Sequence, residues 1–218
     1  MSRKSQFVAV LALFALSTAP ALAGAPAPDT RKGVEILGMV GANMCQEDGD
    51  AKCDDIGPSV AINVAPGFRF MPYAGAYLDI GYGMLSPDTD GIDSASTLWV
   101  MPTVRGMYPL ASADLHLGLG VGYTNFSATG ETQVPPTGAS VSSSISRTNM
   151  LDAKVSIGGA FYLSEAMALG LTIDMIFMAN GAGEVCIEID GDENCDDIDS
   201  EADVSDLLQI GAFIRYRL

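Results

Sequence analysis

From Lys32 onward the chain alternates apolar residues with polar or small ones at a period of two, the mark of strands whose successive side chains leave opposite faces of a sheet. The stretch 114–126 shows it most clearly. Leu115, Leu117, Leu119, Val121 and Tyr123 fall on one face, and His116, Gly118, Gly120, Gly122 and Thr124 on the other. The stretch 151–163 repeats the pattern, with Leu151, Val155, Ile157, Phe161 and Leu163 set against Asp152, Lys154, Ser156, Gly158 and Ala160. Together with 33–44, 59–70, 74–85, 96–108, 167–179 and 207–218, this predicts eight strands of about 10 to 14 residues each.

The connections between these strands alternate in length. Three are short, at 71–73, 109–113 and 164–166; four are long, at 45–58, 86–95, 127–147 and 180–206. Short turns on one side and long loops on the other describe an all-β protein, an eight-stranded antiparallel up-and-down transmembrane β-barrel of the bacterial outer membrane. The strands are long enough, since a tilted strand needs about 9 to 11 residues to cross the hydrocarbon. An even strand number puts both termini of the mature chain on the periplasmic side and the long loops outside.

Charge sharpens the picture. The 218 residues hold 27 Asp and Glu against 11 Lys and Arg, a net charge of −16. That excludes nucleic acid as a partner, because such binding is driven by basic side chains neutralising phosphates. Of the 27 acids, 20 lie in the four long connections, where only Lys52 and Arg147 offset them. The strand body is therefore nearly neutral, with acidic tips at one end. A water-soluble barrel or a secreted β-sandwich, the alternative architectures, would place large apolar residues inside and charge outside. Here the face opposite the large aliphatics is Gly, Ala, Ser and Thr with a few ionisable groups, too bare of charge to meet water, so the apolar face must meet lipid.

The first residues set the compartment. Arg3 and Lys4, the apolar run Phe7 to Leu16 and the Ala21-Leu22-Ala23 site read as a secretory signal peptide over 1–23. Residues 24–31 then form a short flexible leader, and 32–218 the barrel. Aromatic residues collect near strand ends as an interfacial belt requires: Phe68, Phe70, Tyr73, Tyr108, Phe161 and Tyr216 at the short-turn end, and Tyr82, Tyr123, Phe126 and Phe177 at the other. Pro66 and Pro102 fall inside strands, where each deletes a ladder hydrogen bond, so bulges are expected there. Trp99 falls on the inward parity.

With this architecture the chain resembles the small outer-membrane β-barrels of the OmpA and OmpX type over essentially all of the mature sequence. Gln209, Gly211, Ile214 and Tyr216 resemble the polar-x-Gly-x-x-hydrophobic-x-aromatic signal that the barrel-assembly machinery reads. The chain departs from that signal by ending at Leu218 rather than at an aromatic residue, and no peptidoglycan-binding domain follows the barrel. The resemblance implies outer-membrane lipid and the assembly machinery as partners, and a monomer.

An eight-stranded lumen is just wide enough for side chains to fill. Glu35, Arg69, Asp79, Arg105, Asp152, Lys154, Asp174 and Arg215 point inward by parity and form a lumenal ionic network, with Lys154 almost opposite Asp174 across neighbouring strands. Such a network reads as a structural plug; a narrow ion conduit is the alternative. His116, the single histidine, lies near the periplasmic end. No Ser-His-acid grouping or G-x-S-x-G is visible, so no enzyme is expected, although a lipid-modifying role ranks as a third reading.

Cys45 and Cys53 lie in the first long loop, Cys186 and Cys195 in the fourth. In an exported chain they read as two disulfides: proximity favours 45 with 53 and 186 with 195, and a cross-link between the two loops is the rival. Asp190, Asp192, Asn194, Asp196 and Asp199, with Glu201 twelve positions along, have a spacing reminiscent of a calcium loop, although position six is Cys195 rather than Gly. The expectation is no cofactor beyond weakly bound calcium or magnesium, and a non-enzymatic surface role through disulfide-bridged acidic loops toward a partner that the sequence does not name.

Overall fold

The computed structural model describes residues 25–46, 56–87, 94–134, 139–178, 182–189, 192–198 and 206–218. Eight strands close a barrel in chain order: β1 (Gly33–Gln46), β3 (Ser59–Met71), β4 (Ala74–Pro87), β5 (Ser94–Pro109), β6 (Ala113–Val134), β7 (Ala139–Tyr162), β8 (Met167–Phe177) and β11 (Asp206–Arg217). Each is antiparallel to the next, and β11 returns to pair with β1. Three further strands lie in the long connections: β2 (Ile56–Gly57), β9 (Ala182–Ile189) and β10 (Asp192–Ile198). The expected signal peptide and the Cys53 position lie outside the described residues.

Following hydrogen-bonded partners once around the barrel gives its stagger. The path runs Thr124, Trp99, Gly81, Asn63, Met39, Phe213, Gly170, Ala160 and back to β6 at Asp114, ten residues below its start. Ten residues of rise over eight strand spacings tilt the strands by about 40°, within the range of membrane barrels.

The outer wall is a continuous apolar band. Val40, Val60, Ile62, Val64, Val104, Leu117, Leu119, Val121, Ile157 and Leu169 are each at least half exposed. A soluble domain does not leave so large a contiguous apolar surface in water, and only lipid can cover it. Phe68, Tyr73, Tyr108 and Tyr216 are exposed near the short turns. Phe126 departs from the expected belt: it is half-buried and shares the parity of buried Thr124 and Ala128.

Inside, large side chains lie against glycines of neighbouring strands. Trp99, fully buried, covers Gly81; Tyr77 covers Gly67; Phe213 covers Gly170. A Cβ at any of these glycines would collide with the ring above it. The bare inner face is therefore what lets an eight-stranded lumen hold bulky residues at all.

Pro66 and Pro102 do not cause bulges. Register is the same on both sides of each: Val64 pairs Ile80 and Gly67 pairs Tyr77, while Val100 pairs Tyr123 and Thr103 pairs Gly120. The ladder is only interrupted on the side where the proline lacks its N–H, and the pairs Ile36–Pro66 and Leu78–Pro102 on the other side are kept. The register shifts fall instead between Arg69 and Met71 and between Gly122 and Thr124.

Two of the expected loops are largely strand. β6 runs on past the barrel to Val134 and β7 starts at Ala139, paired with each other, so the described part of 127–147 is strand rather than irregular loop. Within 180–206, β9 and β10 form a second hairpin, and β9 pairs with Val141–Thr148 of β7. The outcome is a four-stranded sheet, ordered β10-β9-β7-β6, projecting from the long-loop end. In 127–134 and in β10 most residues are polar on both faces, and in β9 the alternation of Val185, Ile187 and Ile189 with Glu184, Cys186 and Glu188 is short and set in an acidic stretch, which is why periodicity did not reveal the sheet.

The expected leader is also corrected. Pro28–Thr30 form a 3-10 turn, Pro26 is buried, and Arg31 is completely buried inside the barrel. Gly33 then enters β1 with φ 128°, a conformation open to glycine because it has no Cβ.

Candidate functional site

The floor of the lumen, at the short-turn end, is organised by Asp114. Its Oδ1 accepts from Arg31 Nη1 at 2.8 Å, and its Oδ2 accepts from Arg69 Nη1 at 2.6 Å, Arg215 Nη2 at 2.6 Å and the Tyr162 hydroxyl at 2.7 Å. The Tyr162 ring is flanked by two of these cations, with Arg31 at 4.4 Å and Arg215 at 5.0 Å from its centroid. Arg31 further donates to the carbonyls of Ala111, Ala113 and Pro26, which ties the N-terminal segment to the β5–β6 turn. Arg69 donates to the Pro72 carbonyl, and its Nη1 stands 3.9 Å from Glu35, which accepts from the Tyr77 hydroxyl at 2.6 Å. Charges buried this completely are tolerated only when paired and hydrogen-bonded.

A second tier lies deeper along the axis. Arg105 Nη2 meets Asp79 Oδ1 at 2.8 Å, Lys154 Nζ stands 3.7 Å from the same oxygen, and Lys154 meets Asp174 Oδ2 at 2.8 Å. Thr172 donates to Asp174 at 2.7 Å. This chain of charges joins β5, β4, β7 and β8, so it crosses the lumen rather than lining it. Lys154 and Asp174 are not directly opposite. Lys154 pairs in register with Ile176 and Asp174 with Ser156, and the lysine reaches diagonally. The cavity among Asn63, Asp79, Arg105, Thr172 and Phe213 is about 10 Å³, room for about one water.

Toward the long loops most of the buried polar groups are uncharged. Asn43, Asn63, Thr97, Trp99, Thr124 and Gln209 are all buried there. Asp152 is fully buried at this end of β7. His116 sits against Phe213 with ring centroids 5.6 Å apart, edge to face, above Gly158.

All eight of the expected network residues are buried, but seven of them divide between two tiers, and Asp152 lies apart, toward the long loops. Asp114 and Arg31 were missed. Asp114 shares the parity of His116, so its inward placement could have been read from the sequence. Arg31 precedes the first strand and carries no periodic signal.

Outside the barrel, Cys186 and Cys195 are disulfide-bonded and directly opposite each other in the β9–β10 hairpin. The rival cross-link to the first loop is thereby excluded for these two. Cys45 belongs to β1, and its expected bond to Cys53 falls outside the described residues. Register also sets Asp197 opposite Glu184 and Glu193 opposite Glu188. Asn194 and Asp196 are exposed on a paired, extended strand, which cannot wrap an ion as a calcium loop does. Asp190, Asp199 and Glu201 lie outside the described residues. In β11, Gln209 and Gly211 face the lumen while Ile214 and Tyr216 are exposed on the lipid side.

Neither a protein-family model nor a curated protein sequence matches the chain. Solved structures do. A major outer membrane protein from Thermus thermophilus is similar with a TM-score of 0.58 at 14% identity, over 84% of this chain and 100% of that one. Neisserial surface protein A gives 0.55 at 8% identity over 85% and 97%, and the outer membrane protein OprG from Pseudomonas aeruginosa gives 0.52 at 12% identity over 88% and 100%. Closed by eight staggered antiparallel strands around a charged lumen, the chain has the fold of the small eight-stranded outer-membrane β-barrels.

Proposed function

We propose that this protein is a non-enzymatic outer-membrane anchor whose barrel carries an acidic, disulfide-pinned sheet into the extracellular space, where it serves in surface interaction. The observation that carries the reading is the division of labour along the axis. Ion pairs cross the lumen at two levels, while β6, β7, β9 and β10 continue beyond the apolar band as an ordered sheet. A body that spends its interior on closure leaves its projecting end for recognition. The outer-membrane location is supported by that band and by the similar solved structures, and the outward direction by the rule that short turns face the periplasm. Assembly through the Gln209, Gly211, Ile214 and Tyr216 signal, a monomeric state and weak divalent-cation binding by Asp196 and its neighbours belong to the same reading.

The test has two arms. An epitope placed in the turn between β9 and β10 labels on intact cells, whereas one placed after Leu218 does not. In planar bilayers the purified barrel shows no stepwise conductance. Labelling of the C-terminal tag overturns the orientation, and steady ohmic steps replace the anchor with the ion conduit.

A further inference from the structure

The projecting sheet ends in a strand with one neighbour. Among the described residues β10 is hydrogen-bonded to β9 alone, so its other side presents a row of backbone N–H and C=O groups. Such edges recruit further strands unless they are blunted by bulges, prolines, a covering element or charged side chains, the last of which repel a strand of like charge and not one of opposite charge. β10 contains no proline, its seven pairs with β9 run without a register shift, and the Cys186–Cys195 bond fixes a central pair. The edge is thus straight and already ordered, which lowers the entropy lost when a chain adds to it.

The residues along the edge select what can add. Asp192-Glu193-Asn194-Cys195-Asp196-Asp197-Ile198 holds four carboxylates and no cation, and Asn194 to Asp197 are exposed. A second copy of the chain is a poor occupant, because β10 against β10 sets acid opposite acid. An extended segment with Lys or Arg at alternate positions is the complement: its backbone continues the ladder, and its cations meet the carboxylates of one face, Asp192 and Asp196 or Glu193 and Asp197, across the new strand pair.

We propose that the free edge of β10 docks an extended cationic polypeptide segment by strand addition. This rests on the reading of the projecting sheet as the interacting part of the molecule, and it names both the surface used and the chemistry of the partner.

The experiment uses the full folded barrel in detergent micelles and a fluorescent nine-residue peptide alternating Lys and Val. Anisotropy shows saturable binding, and the fully N-methylated peptide, which keeps every charge and loses every backbone donor, binds at least about tenfold more weakly. Asp196→Asn with Asp197→Asn, which removes the exposed carboxylate on whichever face the lysines take, weakens binding about threefold, as the loss of one exposed ion pair would. Heat-modifiable migration confirms that the variant barrel is folded. Equal binding of the N-methylated peptide reduces the effect to charge attraction and overturns the proposal, as does the absence of saturable binding. Failure of the peptide with the hairpin labelled on cells removes only the edge. Binding kept in detergent, with the hairpin unlabelled on cells, supports the edge and removes the surface reading.

Discussion

In the floor of the lumen, Asp114 is completely buried among three arginines and a tyrosine hydroxyl. In the projecting hairpin, Glu184 and Asp197 stand directly opposite each other, both exposed and of like sign. The lumen cannot strand a charge, since an unpaired ion in a low-dielectric interior costs several kcal/mol. The hairpin can set acid against acid because water screens them, and its disulfide supplies the constraint that their repulsion removes. Stability therefore resides in the paired charges and covered glycines of the barrel, whereas the hairpin can change its surface residues at little cost to the whole.

The sharpest way to break this contrast is Asp114→Asn, which leaves Arg31, Arg69 and Arg215 converging on a neutral group. Urea unfolding of the refolded barrel is expected to show a loss of about 3 to 5 kcal/mol. Asp197→Asn in the hairpin, measured in the same way, changes it by less than about 0.5 kcal/mol. Comparable losses would mean that the two regions obey the same rule.

The second tier gives a smaller effect and a test of pairing. Lys154→Met leaves Asp174 with Thr172 alone and costs about 3 kcal/mol, less than the floor because Asp79 keeps Arg105. Adding Asp174→Leu restores part of the loss, since a matched apolar pair strands no charge. A double variant less stable than the single one would show that the 2.8 Å pair is not what holds this tier.

Next comes packing without charge. Gly81→Ala pushes a methyl group into the Trp99 ring and costs about 1 to 3 kcal/mol by overpacking. In a Trp99→Ala background the same change has almost no further cost, and the double-mutant cycle reports the contact. An additive result would place the strain elsewhere.

The smallest effect on the whole molecule belongs to Cys186→Ser with Cys195→Ser. Barrel unfolding moves by less than about 0.5 kcal/mol, while amides of 141–148, paired with β9, exchange at least about tenfold faster. Unchanged exchange there would show that the hairpin holds without its disulfide.

The sequence by itself determined the barrel. A period of two, sustained over eight stretches with one apolar and one small face, admits a membrane barrel because the outer aliphatics have no other cover and the inner glycines no other use. Parity alone placed Glu35, Arg69, Asp79, Arg105, Asp152, Lys154, Asp174 and Arg215 in the lumen and Trp99 with them. Only the tertiary structure decided which charges meet. Asp79 and Lys154 lie on strands that face each other across the lumen, and the ten-residue stagger that brings such residues to one height is a property of closure, which no local pattern encodes. The same holds for Arg31, drawn into the floor by Asp114 from 83 positions away along the chain. It holds for the projecting sheet too: β9 alternates Val185, Ile187 and Ile189 with Glu184, Cys186 and Glu188, but only the pairing with β7 shows that this short run joins the sheet.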